Sequence, residues 1–238
     1  MRAHELEAFV DREKSLVRVV VETPKGSRNK YALDEETGLY ALRKVLPAGA
    51  SFPYDFGFVP STIGGDGDPL DVLLLLDEPC FPGCLVEARL VGVIEAEQEE
   101  RGKTKSNDRL IAVAAASQAH GEVRGLDDLP ARLLDEVEHF FTSYHAARGV
   151  RFTPKRRAGP TRAREVVDRG VESARGRSAT KRSSAKQPSA KQSSAKRSSA
   201  KHPSAKHLSA RSASATSARV KRASARRSSV KRSSGGRS

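Results

Sequence analysis

Residues 65–76 read GDGDPLDVLLLL, an acidic turn that leads directly into an apolar run. An unbroken apolar run bounded by turn residues is typical of a strand that is buried on both faces. Three carboxylates within six residues repel one another unless a cation or hydrogen-bond donors neutralise them. This stretch therefore predicts a buried strand that begins at a charged loop, residues 65–71, which we call the acidic loop.

The acidic loop has the oxygen donors of a magnesium site. If the loop is extended, Asp66 and Asp68 point to the same side, and Asp71 follows at the start of the strand. Carboxylates suit Mg²⁺, which keeps several waters and is usually shared with substrate phosphates. From the loop alone two alternatives stay open, a solvated loop that caps a strand and a calcium loop. The calcium loop fits less well because the DxDxDG spacing and its final glutamate are missing.

Short apolar segments separated by Gly, Pro, Asp and Asn recur through the first half of the chain. This rhythm is typical of a small barrel or sandwich, so we expect an all-β core of five or more strands. The predicted strands span residues 16–22, 30–33, 39–42, 52–59, 72–76, 84–95 and 109–114.

The hydrophobic period changes from two to 3.6 over residues 130–147, which predicts an amphipathic helix. Asp127 and Asp128 suit its N-cap, and Pro130 suits its first turn. A weaker helix is predicted over residues 161–174. The apolar stripe of the first helix consists of Leu133, Leu134, Val137, Phe140, Phe141 and Tyr144.

The chain has a formal net charge of +14, and its excess of positive charge comes from the C-terminal residues. Residues 174–238 hold 19 of the 43 Lys and Arg residues and none of the 29 Asp and Glu, so residues 1–173 are net −5. A Lys or Arg recurs every five residues from Lys181 to Arg211. With no aromatic residue and little to bury, this composition predicts a disordered tail, residues 174–238, beside a folded domain of residues 1–173.

The tail predicts non-specific binding to DNA or another polyanion, which would weaken steeply with salt. It has no aromatic residue, so stacking on single-stranded bases is not expected. Polyphosphate, acidic proteins and anionic lipid satisfy the same charge, and an extension with no specific partner is the plain alternative.

No stretch approaches the apolar length of a membrane-spanning helix, and residues 1–14 alternate charged and apolar residues unlike a secretory signal. We therefore expect no membrane insertion and a cytoplasmic location, nucleoid-associated if the tail binds DNA. Cys80 and Cys84 have no second Cys/His pair to complete a zinc site, so they are expected as two reduced thiols.

The acidic loop and its flanks resemble the soluble inorganic pyrophosphatase family. The family signature Asp-small-Asp-Pro-apolar-Asp-apolar matches residues 66–72 at every position. The resemblance runs from residue 16 to about residue 150 without a large gap. Further matching blocks are VVVETP at 19–24, KY at 30–31, FPYDFGFVPST at 52–62, PG at 82–83, VGV at 91–93, DLP at 128–130 and HFFTSY at 139–144.

The resemblance implies an OB-like five-stranded β-barrel with flanking helices, in a homo-oligomer. It also implies Mg²⁺-dependent hydrolysis of diphosphate to two orthophosphates. The chemistry is physically reasonable, because the highly charged anion repels a nucleophile until cations neutralise it.

Carried over position by position, the resemblance also implies site residues. Asp66 and Asp71 match bridging metal ligands, and Asp68 matches the carboxylate that orients or deprotonates the attacking water. Glu22 and Lys30 match active-site positions, with Lys30 in contact with phosphate.

Two more phosphate-binding positions are implied, with one substitution. Tyr144 matches a phosphate-binding tyrosine, although its place on the apolar stripe leaves a purely structural role open. Lys44 takes the place of an arginine, with Arg43 as the alternative one residue away, and a lysine loses the bidentate fork.

Other positions depart from the family pattern. Ala32 replaces a glutamate, and Phe52 and Phe56 replace two tyrosines and lose both hydroxyls. His145 stands where the family has a lysine, and we expect it at the surface.

The later metal positions are the most altered. The family's two aspartates correspond here to Glu97-Gln98 and to Asn107-Asp108, with an insertion at residues 99–106 between them. Asn107 aligns without a gap as a neutral metal ligand, whereas Asp108 would face the other way in a strand. The sequence is thus compatible with a divergent phosphohydrolase of lower activity or altered phosphoanhydride substrate. The alternative is an impaired scaffold whose tail binds DNA or other polyanions.

Overall fold

Ten strands and two helices make up residues 3–184, the part of the chain that the computed structural model describes. The helices are α1 (Ala131–Ala146) and α2 (Pro160–Ser184), and 3₁₀ turns span Ala3–Glu5 and Leu126–Asp128. The strands are β1 (Phe9–Asp11), β2 (Leu16–Thr23), β3 (Asn29–Leu33), β4 (Tyr40–Val45), β5 (Asp55–Val59), β6 (Leu70–Leu75), β7 (Leu85–Glu100), β8 (Lys103–Ser106), β9 (Arg109–Ala114) and β10 (Arg151–Ala158).

Five of these strands close into a barrel because β7 pairs with both β9 and β2. The order of pairing around the barrel is β2, β5, β6, β9, β7 and back to β2. Strands β6 and β9 run parallel, and the other neighbours are antiparallel. Strands β1, β8 and β10 extend the sheet, while β3 and β4 form a separate hairpin. The predicted five-stranded barrel is therefore confirmed.

Apolar side chains from all five barrel strands form one buried cluster. Successive residues of a strand face opposite sides, so alternate residues enter different clusters. On β6, Val72 and Leu74 belong to this first cluster, and Leu73 and Leu75 belong to a second. Both faces of β6 are thus buried, which explains its unbroken apolar sequence. Helix α2 adds three residues to the first cluster, Ala163, Val166 and Val167.

The second cluster lies between the sheet and helix α1. Val137 and Phe141 of α1 are each 1% exposed, which confirms the apolar stripe at these positions. The ring of Phe141 packs 6.0 Å from Phe56 and 5.7 Å from Phe152, centroid to centroid. Burial of such aromatic side chains contributes a large share of core stability.

All seven predicted strands are present, and β7 continues five residues beyond its predicted end at residue 95. The insertion at residues 99–106 is not a loop. It forms a hairpin between the end of β7 and β8, which turns at Arg101 and Gly102, both with positive φ. Two adjacent residues in this conformation suit the twist of a tight hairpin.

Strand β10 was not predicted because its sequence, RFTPKRRA, contains a proline and four basic residues. In the fold, glutamates of the neighbouring strand β7 neutralise the cationic side chains of β10. Arg156 and Lys155 lie 2.7 Å and 2.9 Å from carboxylate oxygens of Glu95 and Glu97, respectively. Cross-strand charge pairing therefore takes the place of apolar alternation here.

Two predictions about the helices were wrong. Asp127 and Asp128 do not cap α1, because both lie in the preceding 3₁₀ turn, and Pro130 occupies the N-cap without a side-chain hydrogen bond. Asp128 accepts backbone hydrogen bonds from Arg124 and Gly125 instead.

Helix α2 continues ten residues past the predicted end at residue 174, so residues 174–184 are helical rather than disordered. Residues 185–238 of the predicted tail lie outside the described residues. No helix among residues 3–184 is long and apolar enough to cross a membrane.

The close approach of β5 to β2 gives a test of the barrel. A Cβ at Gly57 would lie 2.1 Å from the carbonyl oxygen of Val20, so Gly57→Ala should force the two strands apart. We expect a loss of about 3 kcal/mol in the free energy of unfolding, measured by urea denaturation. Gly176→Ala on α2 is the matched control, because its Cβ meets no atom within 4 Å. A helical Gly-to-Ala change there should be neutral or stabilise by up to about 1 kcal/mol. Equal stability of the two variants would contradict the packing described.

Candidate active site

A cavity of about 930 Å³ brings together seven of the eight predicted site residues. They come from separate parts of the chain, on β2, β3, the acidic loop, the start of β9 and α1. The eighth, Lys44, is not among the lining residues, whereas its neighbour Arg43 is. The seven lining residues are Glu22, Lys30, Asp66, Asp68, Asp71, Asn107 and Tyr144.

The acidic loop is a closed turn and not an extended segment. The backbone N–H of Gly64 donates to the carbonyl of Asp68 at 2.7 Å, and Gly67 has a φ of +99°. The Asp66 carboxylate accepts a hydrogen bond from the backbone N–H of Asp68 at 3.2 Å. Both side chains still line the cavity, so the turn concentrates negative charge at one wall.

Two cationic side chains from distant elements hold the backbone of this loop. Lys105 of β8 donates from Nζ to the carbonyl oxygen of Asp66 at 3.0 Å. Arg177 of α2 donates to the carbonyl oxygen of Gly67 at 3.1 Å. The helical extension past residue 174 therefore contributes directly to the geometry of the site.

Helix α2 can come this close because Gly170 has no side chain. A Cβ at Gly170 would lie 2.7 Å from Leu70 and 3.1 Å from Thr62, at the two ends of the loop. The carbonyl of Gly170 accepts a hydrogen bond from the backbone of Ile63 at 3.0 Å. The hydroxyl of Thr62 accepts a further hydrogen bond from the backbone of Leu70 at 3.0 Å, which ties the loop ends together.

Glu22 lines the cavity and is 9% exposed. Burial raises the pKa of this carboxyl to about 7, and the nearby carboxylates of Asp71 and Asp68 act in the same direction. The backbone N–H of Leu33, which donates to Glu22 at 2.8 Å, and the charge of Lys30 oppose this rise. A carboxyl in this state exchanges a proton near neutral pH.

The pKa of Asp66 is also raised, first by burial and then by the charges of Asp71 and Asp68. Carboxylates that repel one another in one cavity are stabilised when a cation binds between them. The sequence pattern and the electrostatics of the structure thus agree on this wall of the cavity.

Arg109 neutralises part of this negative charge from inside the protein. Its guanidinium lies 2.7 Å from the carboxylate of Asp71, and its side chain is 4% exposed. The same group donates to the side-chain oxygen of Asn107 and packs against the rings of Phe141 and Phe152, at 4.9 Å and 5.3 Å from their centroids. Arg109 is therefore a fixed positive charge in the cavity wall.

Asn107 and Gln98, from the two regions that the resemblance aligns with the later metal ligands, form a neutral pair. The amide of Asn107 donates to the side-chain oxygen of Gln98 at 2.6 Å. Asp108 faces away, as expected, and accepts hydrogen bonds from Ala96 and Ser106. The oxygen of Asn107 is already engaged by Arg109, so a metal ion would have to compete for it.

The basic side chains near the phosphate-binding positions lie over aromatic rings. Lys30 is 4.8 Å from the ring centroid of Phe56, and Lys44 is 5.3 Å from that of Tyr144. Burial, followed by the charges of Arg148 and Lys30, lowers the pKa of Lys44. Phe56 thus keeps the packing of a family tyrosine and offers a cation–π contact in place of a hydroxyl.

His145 is buried, so the expectation of a surface histidine was wrong. It is 2% exposed, and its ring stacks on Phe152 with centroids 4.8 Å apart. Its Nδ1 lies 2.8 Å from the carbonyl oxygen of Phe141, which fits an Nδ1–H donor. Burial lowers its pKa to about 4, and the charge of Arg109 acts in the same direction.

Sequence reasoning missed several cavity residues. For Arg109 the sequence contained one indication, because a charged residue at the start of the buried strand RLIAVA needs a partner of opposite charge. The cations of the insertion at residues 99–106 gave no local signal, since an isolated insertion reads as a solvated loop. They line the cavity only because the hairpin folds back over it, and they are Arg101, Lys103 and Lys105.

The oxygen donors of the acidic loop fit a divalent cation, but they do not form a complete cage. Among residues 3–184, no group of three or more His, Cys, Asp and Glu side chains is arranged to hold an ion by itself. Asp66 and Asp71 would therefore supply part of a coordination shell, with water and substrate oxygens in the remaining positions. Divalent ions shared with phosphate substrates are commonly bound in this way.

The sequence model described as inorganic pyrophosphatase matches residues 19–175. The chain is 40% identical over 136 residues to the inorganic pyrophosphatase of Thermus thermophilus, which covers 57% of this chain and 75% of that protein. It is 35% identical over 156 residues to the inorganic pyrophosphatase of Geobacillus stearothermophilus, which covers 66% of this chain and 92% of that protein.

Solved structures show the same fold. The crystal structure of the Thermus thermophilus inorganic pyrophosphatase superimposes with a TM-score of 0.67 at 32% identity, covering 74% of this chain and all of that one. The Helicobacter pylori inorganic pyrophosphatase superimposes with a TM-score of 0.65 at 34% identity, covering 72% of this chain and 99% of that one. The OB-like fold implied by the resemblance is thus confirmed.

The buried imidazole predicts an acid-sensitive fold. The pKa of His145 is lower in the folded than in the unfolded protein, so its contribution to stability is present above about pH 6.5 and is lost as the pH falls towards 4. Between pH 7 and pH 5 the free energy of unfolding should fall by about 2 kcal/mol more in the wild type than in His145→Phe, which keeps the ring packing. Urea denaturation at both pH values measures the difference. An identical pH dependence of the two proteins would show that His145 is protonated normally in the fold.

Proposed function

Because the chain belongs to the inorganic pyrophosphatase family, we propose that it hydrolyses diphosphate to two orthophosphates with Mg²⁺ as cofactor. The observation that carries the proposal is the convergence of Asp66, Asp68, Asp71, Glu22 and Lys30 on one cavity. Five residues from β2, β3 and the acidic loop meet there although up to 49 positions separate them in the sequence.

Cationic side chains of the chain itself would hold the diphosphate. Lys30 lines the cavity and has no ion-pair partner within residues 3–184, so its ammonium is free to bind phosphate. Arg109 is fixed by Asp71 and the aromatic rings, and its positive charge reaches the same cavity. Fixed charges are effective because they need no reorganisation when negative charge builds up in the transition state.

The metal would be held by Asp66 and Asp71. When bound, a divalent ion neutralises phosphate oxygens and lowers the pKa of a coordinated water. Asn107, a predicted third ligand, offers a neutral oxygen that already accepts a hydrogen bond from Arg109. We propose that its contribution to metal binding is weaker than that of the two carboxylates.

Asp68 is the exposed carboxylate of the acidic loop and would accept the proton of the attacking water. Its backbone is fixed by the turn of the loop, so its carboxylate lies at a defined place in the cavity wall. Glu22, whose pKa burial raises to about 7, could hold a proton near the leaving phosphate at neutral pH. Tyr144, half-buried above Lys30 and Lys44, would contribute phosphate contact from α1.

A homo-oligomer and a cytoplasmic location stay predictions from the resemblance and the sequence. The same applies to polyanion binding by the basic tail. Residues 185–238 contain 15 Lys and Arg residues and no acidic residue, a composition that supports non-specific electrostatic binding.

The first experiment measures orthophosphate release from diphosphate by the full chain, with Mg²⁺ and with a chelator. We expect metal-dependent release that Asp68→Asn lowers by about 10²- to 10⁴-fold, because that variant removes a proton acceptor and keeps the size of the side chain. The Asp66→Ala, Asp71→Ala double variant should lose metal dependence together with activity. Asp127→Asn is the matched control, since Asp127 is exposed and lies outside the cavity.

Two results would contradict the proposal. If the full chain releases no orthophosphate with any divalent metal, it is not a pyrophosphatase. If Asp68→Asn keeps the wild-type rate, Asp68 is not the proton acceptor.

Truncation separates the domain from the tail. Removal of residues 185–238 should abolish salt-sensitive retention on DNA and leave hydrolysis unchanged, because α2 and its contact with the acidic loop stay intact. Removal from residue 174 onward should instead lower hydrolysis, because it deletes Arg177. DNA retention in 50 and 200 mM salt and orthophosphate release measure the two effects. If removal of residues 185–238 alone abolishes hydrolysis, the domain does not work independently of the tail.

A further inference from the structure

The hairpin formed by residues 97–106, which we call the insertion hairpin, sorts its charges by face. Glu97 and Glu99 point to one side, where they pair with Lys155 and Arg151 of β10. Alternate residues of a strand face opposite sides, so Gln98 belongs to the other face. One face of the hairpin is therefore charge-neutral through pairing with β10.

The opposite face lines the cavity and is cationic. Lys103 and Lys105 of β8 lie on it, paired in register with Glu100 and Gln98 of β7, and Arg101 at the tip also lines the cavity. Three cations against one carboxylate leave this face with an excess of positive charge. Along a strand, side chains two residues apart are separated by about 7 Å, so the cations form a row.

The row begins at the acidic loop and leads away from it. At its inner end, Lys105 donates to the carbonyl oxygen of Asp66, and a Cβ at Gly65 would lie only 2.9 Å from Ser106. At its outer end, Arg101 and Lys103 are exposed. Neither has an ion-pair partner among the described residues, so both charges are available to an anion that extends outward from the acidic loop.

The cavity is larger than a diphosphate requires. A volume of about 930 Å³ is near the upper end of the range for drug-sized ligands. The turn between β3 and β4 also contributes Asp34, Glu35 and Glu36 to the lining of the cavity. Asp34 pairs with Arg43, and the carboxylates of Glu35 and Glu36 disfavour an anion beside this turn. The insertion hairpin thus offers positive charge to an extended anion, whereas the turn between β3 and β4 offers negative charge.

We propose that Arg101 and Lys103 form a subsite for the distal phosphates of a linear inorganic phosphoanhydride longer than diphosphate, with inorganic triphosphate as the shortest member. This proposal rests on the proposed function, because the reacting phosphate would occupy the same cavity. The insertion hairpin has no aromatic residue on which a base could stack, which favours an inorganic chain over a nucleotide.

The reaction would be the same hydrolysis at a terminal bridge. The oxygen of water bonds to the terminal phosphorus, and the bond from that phosphorus to the bridging oxygen breaks. The bridging oxygen stays on the diphosphate product. One proton of the water passes to Asp68 and then to solvent, and the other stays on the orthophosphate.

Paired double variants test the subsite. Arg101→Gln, Lys103→Gln removes two exposed cations from the cavity face of the hairpin. Arg151→Gln, Lys155→Gln is the matched control, because it removes two cations that contact the same hairpin from its other face. The kcat and KM of the full chain are measured with diphosphate and with inorganic triphosphate. We expect the first variant to raise KM for triphosphate about tenfold and to change KM for diphosphate by less than about twofold.

A binding measurement distinguishes failure of this subsite from failure of the proposed function. Both anions are titrated calorimetrically into Asp68→Asn protein with Mg²⁺, with and without each double variant. Triphosphate should bind more tightly than diphosphate, and only the cavity-face variant should remove that advantage. If the wild-type protein does not hydrolyse triphosphate but shows this binding pattern, the proposed reaction is wrong and the proposed subsite stands. Equal binding of the two anions, or equal effects of the two double variants, would overturn the subsite.

Discussion

The pairing of the sixteen-residue strand β7 is the constraint on which the rest of the structure depends. Its first half pairs with β2, its middle with β9 and its second half with β10 and β8. The first two pairings close the barrel, in which only β5 separates β2, which carries Glu22, from β6, which begins at the acidic loop. The last two extend the sheet past the barrel and position the insertion hairpin over the cavity. A Cβ at Gly92, in the middle of β7, would lie 2.3 Å from Leu126, so the strand also depends on a glycine there.

The site is a balance of charges that the fold holds at short range. Burial and repulsion raise the pKa of Glu22 and Asp66, while Arg109 compensates Asp71 from within the wall. Gln98 and Asn107 line the cavity as amides, so they add no negative charge that cations would have to neutralise. The buried guanidinium of Arg109 needs hydrogen-bond acceptors. A neutral amide supplies an acceptor, whereas further carboxylates would add more negative charge than one arginine can balance.

Helix α2 links the barrel to the cavity. Its apolar residues complete the first buried cluster, Gly170 permits close contact with the ends of the acidic loop, and Arg177 holds the backbone of Gly67. The pentad repeat begins within the last turns of this helix, at Lys181. The low-complexity composition therefore does not mark the end of the folded structure. A cationic residue that looks like part of a solvated tail in the sequence has a defined acceptor in the fold.

The sequence by itself determined the barrel strands, the amphipathic helix α1, the acidic loop and the family, because apolar periodicity and the contiguous motif at residues 66–72 are local signals. Seven of the eight site residues that the resemblance implied line one cavity. Only the tertiary structure decided the partner of Arg109, the burial of His145, the strand β10 and the role of the insertion hairpin. Each of these depends on contacts between residues far apart in the chain, such as Arg109 with Phe141 and Lys105 with Asp66. A charged side chain has the same local sequence signal whether it meets water or a buried acceptor, and the packing of the barrel determines which it meets.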